Sequence, residues 1–392
     1  MYNLRMVNFK TINQVEKHLF EIGTDSRGIK IMESKALLQC IRLDEVPTKV
    51  ANILKQEMLS IGGEAAVARD VIGSALIHTS VLLMGTHKHY KKLIEKLKMQ
   101  PFKLPELGNQ IEILIKNTQT RFRSLEVGKY TLPVGERTII MGILNLTPDS
   151  FSDGGKFFDV DKAVAHALKM VEAGADIIDV GAESTRPGYT PVEAEEELQR
   201  LVPILERLLK EVHVPISVDT YKAATAQKVL DMGVDMINDV WGLQRDTQLA
   251  QVVADYGAPI VVMHNQNSTE YDNFMGDIIA FLRKSVEIAE EAGIASDKII
   301  IDPGVGFGKT LEHNLEIMDR LDELKTLGKA ILLGTSRKSM IGKVLDLPVE
   351  ERIEGTAATV ALGIAKGADI IRVHDVKEMA RVCKMMDAMV RR

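Results

Sequence analysis

Residues able to do chemistry recur in this chain at one kind of place, where a short apolar run stops. "TIIMGIL" ends at Asn145, "ADIIDVG" leads into Glu183-Ser184-Thr185-Arg186, and "VPISVD" ends at Asp219. "VDMIND" ends at Asn238-Asp239, "APIVVMH" at Met263-His264 and "KIIIDPG" at Asp302. "AILLGTS" gives way to Ser336-Arg337-Lys338-Ser339, and "ADIIRVHD" carries Arg372 and His374. Arg372 and His374 are two apart, so on a strand both side chains face one side. An arginine fork grips phosphate oxygens and a histidine adds a donor. The plain alternative for Arg372 is a weak surface pair with Asp375. Asn145 alone is also an ordinary turn residue. The loop it opens, "NLTPDSFSDGG", nevertheless holds more chemistry than a turn requires.

The elements that must position these residues repeat. Each run is rich in β-branched residues and is followed by a polar or Gly-rich loop and then an amphipathic segment. "DVDKAVAHALKMVEAG" and "YKAATAQKVLDMG" show helical spacing closed by glycine. Continuous apolar strands alternating with helices predict a parallel sheet covered by helices. Eight such units match a (β/α)8 TIM barrel, in which the strands' C-terminal ends share one mouth. An open doubly wound sheet is the alternative architecture. "KYTLPVGERTII" predicts a hairpin with a Pro/Gly turn that could plug the barrel's bottom.

Residues 1–118 read differently. "KIMESKALLQCIRLDEV" starts helical and ends as a strand, "TKVANILKQEMLSIGG" is a helix stopped by Gly62-Gly63, and "SVLLMGTHKHYKKLIEKLKMQP" is a strand, a turn and a Lys-rich helix. A small N-terminal α/β domain is therefore expected, with a linker over 119–127 and the barrel over 128–392. A chain of 392 residues is long enough for two domains. The net charge of −6 gives no basic footprint for nucleic acid. No run approaches the roughly eighteen apolar residues of a membrane helix, and no signal-peptide core is read, so a cytoplasmic protein is expected. Cys40 and Cys383 lack metal or redox spacing and are expected as small buried thiols.

"GILNLTPDSFSDGG", "DVGAESTRPG", "IDPGVGFGKT", "GTSRKS" and "RVHDV" resemble, in order, the signature segments of the dihydropteroate synthase family. The resemblance spans residues 128–392 and does not reach 1–118. It implies a transferase of folate synthesis that joins 6-hydroxymethyl-7,8-dihydropterin diphosphate to p-aminobenzoate, releases pyrophosphate, and is a sulfonamide target. Displacing pyrophosphate needs a cation for the leaving group's charge. The resemblance implies that Arg372 and His374 bind the diphosphate and that Asn145 ligates Mg2+, a normal oxygen site for that ion. A carboxylate and an amide can read a pterin's donor–acceptor edge. By resemblance Asp219, Asn238 and Asp302 do so, Lys338 approaches the ring, and Met263 and Phe307 cover its faces. "NLTPDSFSDGG" and "ESTRPGYTP" resemble two mobile loops, in which Asp149, Phe151, Asp153 and Arg186 act while water is excluded. Thr185, Pro187 and Ser339 frame the aminobenzoate, and a homodimer through barrel helices is implied.

A pterin-binding methyltransferase and an inactive pterin-binding protein are the competing readings. Two other motifs are set aside. "PGVGFGKT" would need glycine at Pro303 to be a phosphate-binding P-loop, and its glycines suit a tight strand-to-helix loop. His87 and His89 lack further metal ligands at the right spacing.

Overall fold

The chain, in a computed structural model that describes residues 2–9, 11–71, 77–119, 124–146, 160–183 and 192–391, folds as two units, Met1–Lys116 and Asn117–Arg392. In the first unit, α1 (Ile12–Glu21) and α2 (Ser26–Met32) lead to β1 (Leu38–Pro47). There follow α3 (Thr48–Ser60), β2 (Glu64–Val67), β3 (His78–Thr86), α4 (His87–Leu97) and α5 (Leu104–Gln119). The strands form an antiparallel sheet in the order β1-β3-β2. Ile41, Ala65, Val81 and Leu83 share a core with Leu54, Met58, Leu93 and Leu97 of α3 and α4.

Alternation along β1 overturns one expectation. Ile41 faces the core, so its neighbour Cys40 faces away and is exposed, whereas Cys383 is buried as expected. The buried Tyr90 hydroxyl donates to the carbonyls of Gln39 (2.8 Å) and Leu83 (3.0 Å). His89 Nδ1 accepts from the Thr86 N–H at 3.2 Å and so caps α4.

The second unit begins with a hairpin one step earlier than expected. Its strands are β4 (Leu125–Val127) and β5 (Tyr130–Leu132), so the residues read as the end of a linker are already paired. The turn is Gly128-Lys129, with Gly128 at φ +58°, because two-residue hairpin loops need a positive φ that glycine supplies without strain. The stretch from Pro133 to Gly135 forms a second bend, closed by a bridge between Val134 and Arg137.

The eight predicted strands are all present. They are β6 (Ile139–Asn145), β7 (Ile177–Gly181), β8 (Ile216–Asp219), β9 (Met236–Asp239), β10 (Ile260–Met263), β11 (Ile299–Asp302), β12 (Ala330–Leu333) and β13 (Ile370–Val373). Between and after them run α6 (Val160–Glu172), α7 (Ala194–Glu211), α8 (Ala223–Asp231), α9 (Leu249–Asp255), α10 (Phe274–Glu291), α11 (Leu311–Arg320), α12 (Ser339–Leu345), α13 (Ile353–Lys366) and α14 (Val376–Val390). All eight strands pair in parallel, and β13 pairs with β6 to close the barrel. Among the described residues no helix is long and apolar enough to cross a membrane.

The period of two sorts each strand into an outer and an inner face. Ile140, Ile178, Val218, Ile237, Val262 and Ile301 belong to the core shared with the helices. Ile139, Met141, Ile177, Met236, Val261, Ile300, Leu332 and Ile370 form a separate inner cluster, sealed by Leu125, Val127, Leu132 and Val134 of the hairpin region. Each such side chain removed from water contributes about 1.5–3 kcal/mol, so the plug is part of the barrel's stability. Two residues further along each strand, the same inward parity reaches the mouth.

Candidate active site

Parity predicts which side chains line that mouth. Ile177 faces in, so Asp179 does; Met236 brings Asn238, Val261 brings Met263, Ile300 brings Asp302, and Ile370 brings Arg372. β8 contributes Ser217 and Asp219 by pairing in register with Asp179 and Gly181. Asp239 has the opposite parity. Its carboxylate accepts from the N–H groups of Trp241 (2.8 Å) and Leu243 (2.5 Å), so it shapes the turn after β9 instead of entering the mouth.

The centre of the site is Arg372. Its Nε donates to Asp179 Oδ2 at 2.6 Å and its Nη2 to Asp219 Oδ2 at 2.9 Å. Asn238 Nδ2 donates to the same Asp179 oxygen at 3.0 Å. The surface-pair alternative for Arg372 fails, because Asp375 is held by Arg337 through bonds of 2.9 and 2.5 Å. Asp219 is pushed up to about 7, chiefly by burial, against the lowering effect of Arg372. Asp179 was not anticipated from sequence. It lies inside an apolar run, and only its shared parity with Ile177 marks it.

Asp302 is buried and accepts from the Gly304 N–H at 2.7 Å. Burial raises its pKa and the nearby Lys338 opposes that rise. Lys338 lies one residue before α12, donates to the Val305 carbonyl and stands 4.4 Å from the Phe307 ring centroid. Desolvation brings it down to about 8 despite the attraction of Asp302. Phe307, half-buried, is therefore at the mouth, and Met263 is buried beside the strand ends.

The loop after β11 is tight because its glycines permit it. Gly304, Gly306 and Gly308 all have positive φ, and a Cβ on Gly304 would stand 1.9 Å from the His264 carbonyl oxygen. Lys309 crosses beneath, with Nζ 2.8 Å from His264 Nδ1 and 2.9 Å from the Phe307 carbonyl. Burial pushes Lys309 down to about 7 and His264 to about 3. This lysine was also missed, since the sequence offered only a rejected phosphate-loop motif.

The last two strand ends are tied together. Ser336 Oγ accepts from the His374 N–H at 3.1 Å and lies 3.0 Å from His374 Nδ1. Arg352 Nη1 donates to the Arg337 carbonyl at 3.0 Å. Ser339, the first residue of α12, is exposed. Glu183 pairs with Lys222, which also reaches Glu197 at 3.0 Å. Asn145 ends β6 in register with Gly181. Asp149, Phe151, Asp153, Thr185, Arg186 and Pro187 lie outside the described residues.

Residues 141–374 match the family described as "Pterin binding enzyme". The dihydropteroate synthase of Clostridium beijerinckii is 55% identical over 269 residues, covering 68% of this chain and 100% of the relative. The chain belongs to the dihydropteroate synthase family. A solved dihydropteroate synthase from Clostridium difficile, in the presence of pteroic acid, superposes with a TM-score of 0.65 at 53% identity, covering 67% of this chain and all of that one. The chain is thus a transferase that joins 6-hydroxymethyl-7,8-dihydropterin diphosphate to p-aminobenzoate with release of pyrophosphate. The methyltransferase and inactive-binder readings fall away. The first unit is not peculiar to this chain. A probable bifunctional folylpolyglutamate synthase/dihydropteroate synthase of Halobacterium salinarum is 40% identical over 375 residues, 92% of this chain and 44% of the relative. That length exceeds what the barrel unit can hold, so the similarity continues into Met1–Lys116.

Proposed function

We propose that the strand-end residues divide the reaction between them. Asp219, Asn238 and Asp302 read the pterin edge, Lys338 approaches the ring, and Met263 and Phe307 cover its faces. Arg372 and His374 hold the diphosphate. The bond from the pterin's methylene carbon to diphosphate oxygen breaks, and pyrophosphate leaves with the electron pair. The aminobenzoate nitrogen bonds to that carbon and gives up a proton. Ser339, with Thr185 and Pro187, frames the aminobenzoate, and a sulfonamide of similar shape competes there. Asp149, Phe151, Asp153 and Arg186 belong to loops that close over the reacting groups and exclude water.

The donor set also suits Mg2+. Asn145 Oδ1 is a hard oxygen at the end of β6, and both it and the Asp219 side chain lie beside Gly181 at the end of the neighbouring strand. Asn145 would hold the ion, which when bound with the diphosphate supplies positive charge to the leaving group.

The observation that carries this reading is Arg372, a guanidinium that Asp179 and Asp219 engage through Nε and Nη2, at the mouth that also holds Asp302 and Lys338. Arg372→Lys keeps the charge but loses the fork, so turnover falls while the barrel stays folded. A pyrophosphate-release assay checks this, and wild-type turnover at every Mg2+ concentration would refute the leaving-group role. We further propose a cytoplasmic homodimer. Val344, Leu345, Leu362, Met385 and Met389 are exposed on α12, α13 and α14, the kind of apolar face that a second copy covers.

A further inference from the structure

Asp179 is fully buried and makes no surface contact of its own, yet it touches two groups with different tasks. Each contact fixes an orientation. An amide can present either its oxygen or its nitrogen, and Asn238 has committed Nδ2 to Asp179. Its Oδ1 is then the atom left to meet a ligand. A guanidinium offers a side edge, Nε with Nη2, and an end edge, Nη1 with Nη2. Asp179 takes Nε and Asp219 takes Nη2, and neither engages Nη1. Nη1, with the second hydrogen of Nη2, is what remains for a grip on phosphate. The arginine side chain is 20% exposed whereas that of Asp179 is 0%, so the anchor is sealed and the head is reachable.

We propose that Asp179 is a positioning residue shared by both halves of the site. Through Asn238 it sets which atom reads the pterin, and through Arg372 it sets which guanidinium edge meets the diphosphate. This rests on the roles proposed above for those two residues. Both bonds converge on Asp179 Oδ2, and its negative charge is what strengthens the hold on the guanidinium. An amide oxygen at 179 accepts both bonds without the charge that makes the arginine bond strong, so the guanidinium is held more loosely. A second observation separates this from plain structural duty. Among the described residues, Asp179 Oδ1 has no hydrogen-bond partner, and neither has Ser217 Oγ on the adjoining strand. A carboxylate kept for stability alone would have both oxygens satisfied, since burying one unpaired is costly.

The test is a pair of double-mutant cycles on the full chain. Asp179→Asn is made alone, with Arg372→Lys, and with Asn238→Ala; pyrophosphate release gives turnover and calorimetry gives pterin diphosphate affinity. Asp179→Asn alone should lower turnover about tenfold or more, but about twofold or less once Arg372 is already lysine. Its effect on affinity should likewise vanish once Asn238 is alanine. Equal fold-losses in every background would overturn the proposal. Should Asp179→Asn not fold, the wild-type chain answers by NMR of 15N-labelled arginine. One Nε–H should exchange slowly and stay protected when pterin diphosphate is added, and loss of that protection would refute the anchoring. A wild-type chain that releases no pyrophosphate would instead overturn the reading on which the proposal rests.

Discussion

Lys338 and Asp302 sit where water is scarce, and each is driven toward its neutral form while the other resists the change. The consequence for pH follows from the lysine. Its pKa of about 8 means that the ammonium is present below that value and lost as the pH rises through it. Pterin affinity should therefore fall above about pH 8, approaching tenfold per unit, and Lys338→Met should be weaker throughout and lack that limb. Calorimetry across the range checks it; an affinity flat into the alkaline region would remove Lys338 from the ring. Asp302→Asn tests the other partner. One oxygen already accepts from Gly304, so an amide that turns its nitrogen either way meets a donor. The mismatch should cost roughly 1–3 kcal/mol of pterin binding, and unchanged affinity would dismiss the assignment. Asp302 and Arg372 were legible in sequence because apolar runs stop at them. Asp179 and Lys309 were not. The first is enclosed by its run, and the second is turned toward His264 by a loop whose path depends on glycine geometry.

At the scale of elements, alternation along strands carried most of what could be read. β-branched runs bounded by polar loops gave all eight barrel strands, and parity then separates the apolar plug layer from the polar mouth. The hairpin turn was misplaced because two turn signals stand close together, Gly128 and the Pro133–Gly135 stretch. Both stretches carry a glycine with positive φ, Gly128 and Gly135, but only Gly128 stands between paired strands, with Val127 opposite Tyr130. The loop after β11 offers a direct test of backbone positioning. At φ +68° and 1.9 Å from the His264 carbonyl, a Cβ on Gly304 cannot be accommodated without moving the chain. Any such movement takes the Gly304 N–H away from Asp302. Gly304→Ala should destabilise the protein by about 1–3 kcal/mol in denaturant melts and weaken pterin binding together with it. An alanine variant with native stability and affinity would show that the loop is not what aims Asp302.

At the scale of the whole molecule, the question is what the first unit contributes to the barrel's reaction. It has its own sheet and core, built from β1, β3 and β2 with α3 and α4, and none of the residues assigned a chemical role belongs to it. The barrel closes on itself, so it has no open sheet edge for another unit to complete. Its bottom is sealed by Leu125, Val127, Leu132 and Val134, all of which follow Ser124. The Clostridium beijerinckii relative is matched over its full length by 68% of this chain, which shows that the family exists without such a unit. A chain beginning at Ser124 should therefore fold, melt cooperatively and make dihydropteroate at a rate close to that of the full protein. Starting instead after Val134 should fail, because removing four apolar plug residues at about 1.5–3 kcal/mol each takes away about as much as the whole net stability of a typical domain. Pyrophosphate release and solution mass, measured side by side for the full chain and the two shorter ones, decide between outcomes. A Ser124 chain that is folded and soluble but inactive would mean that the first unit takes part in catalysis. A change of mass with activity retained would assign it to assembly instead, and would move the proposed dimer contact away from α12, α13 and α14.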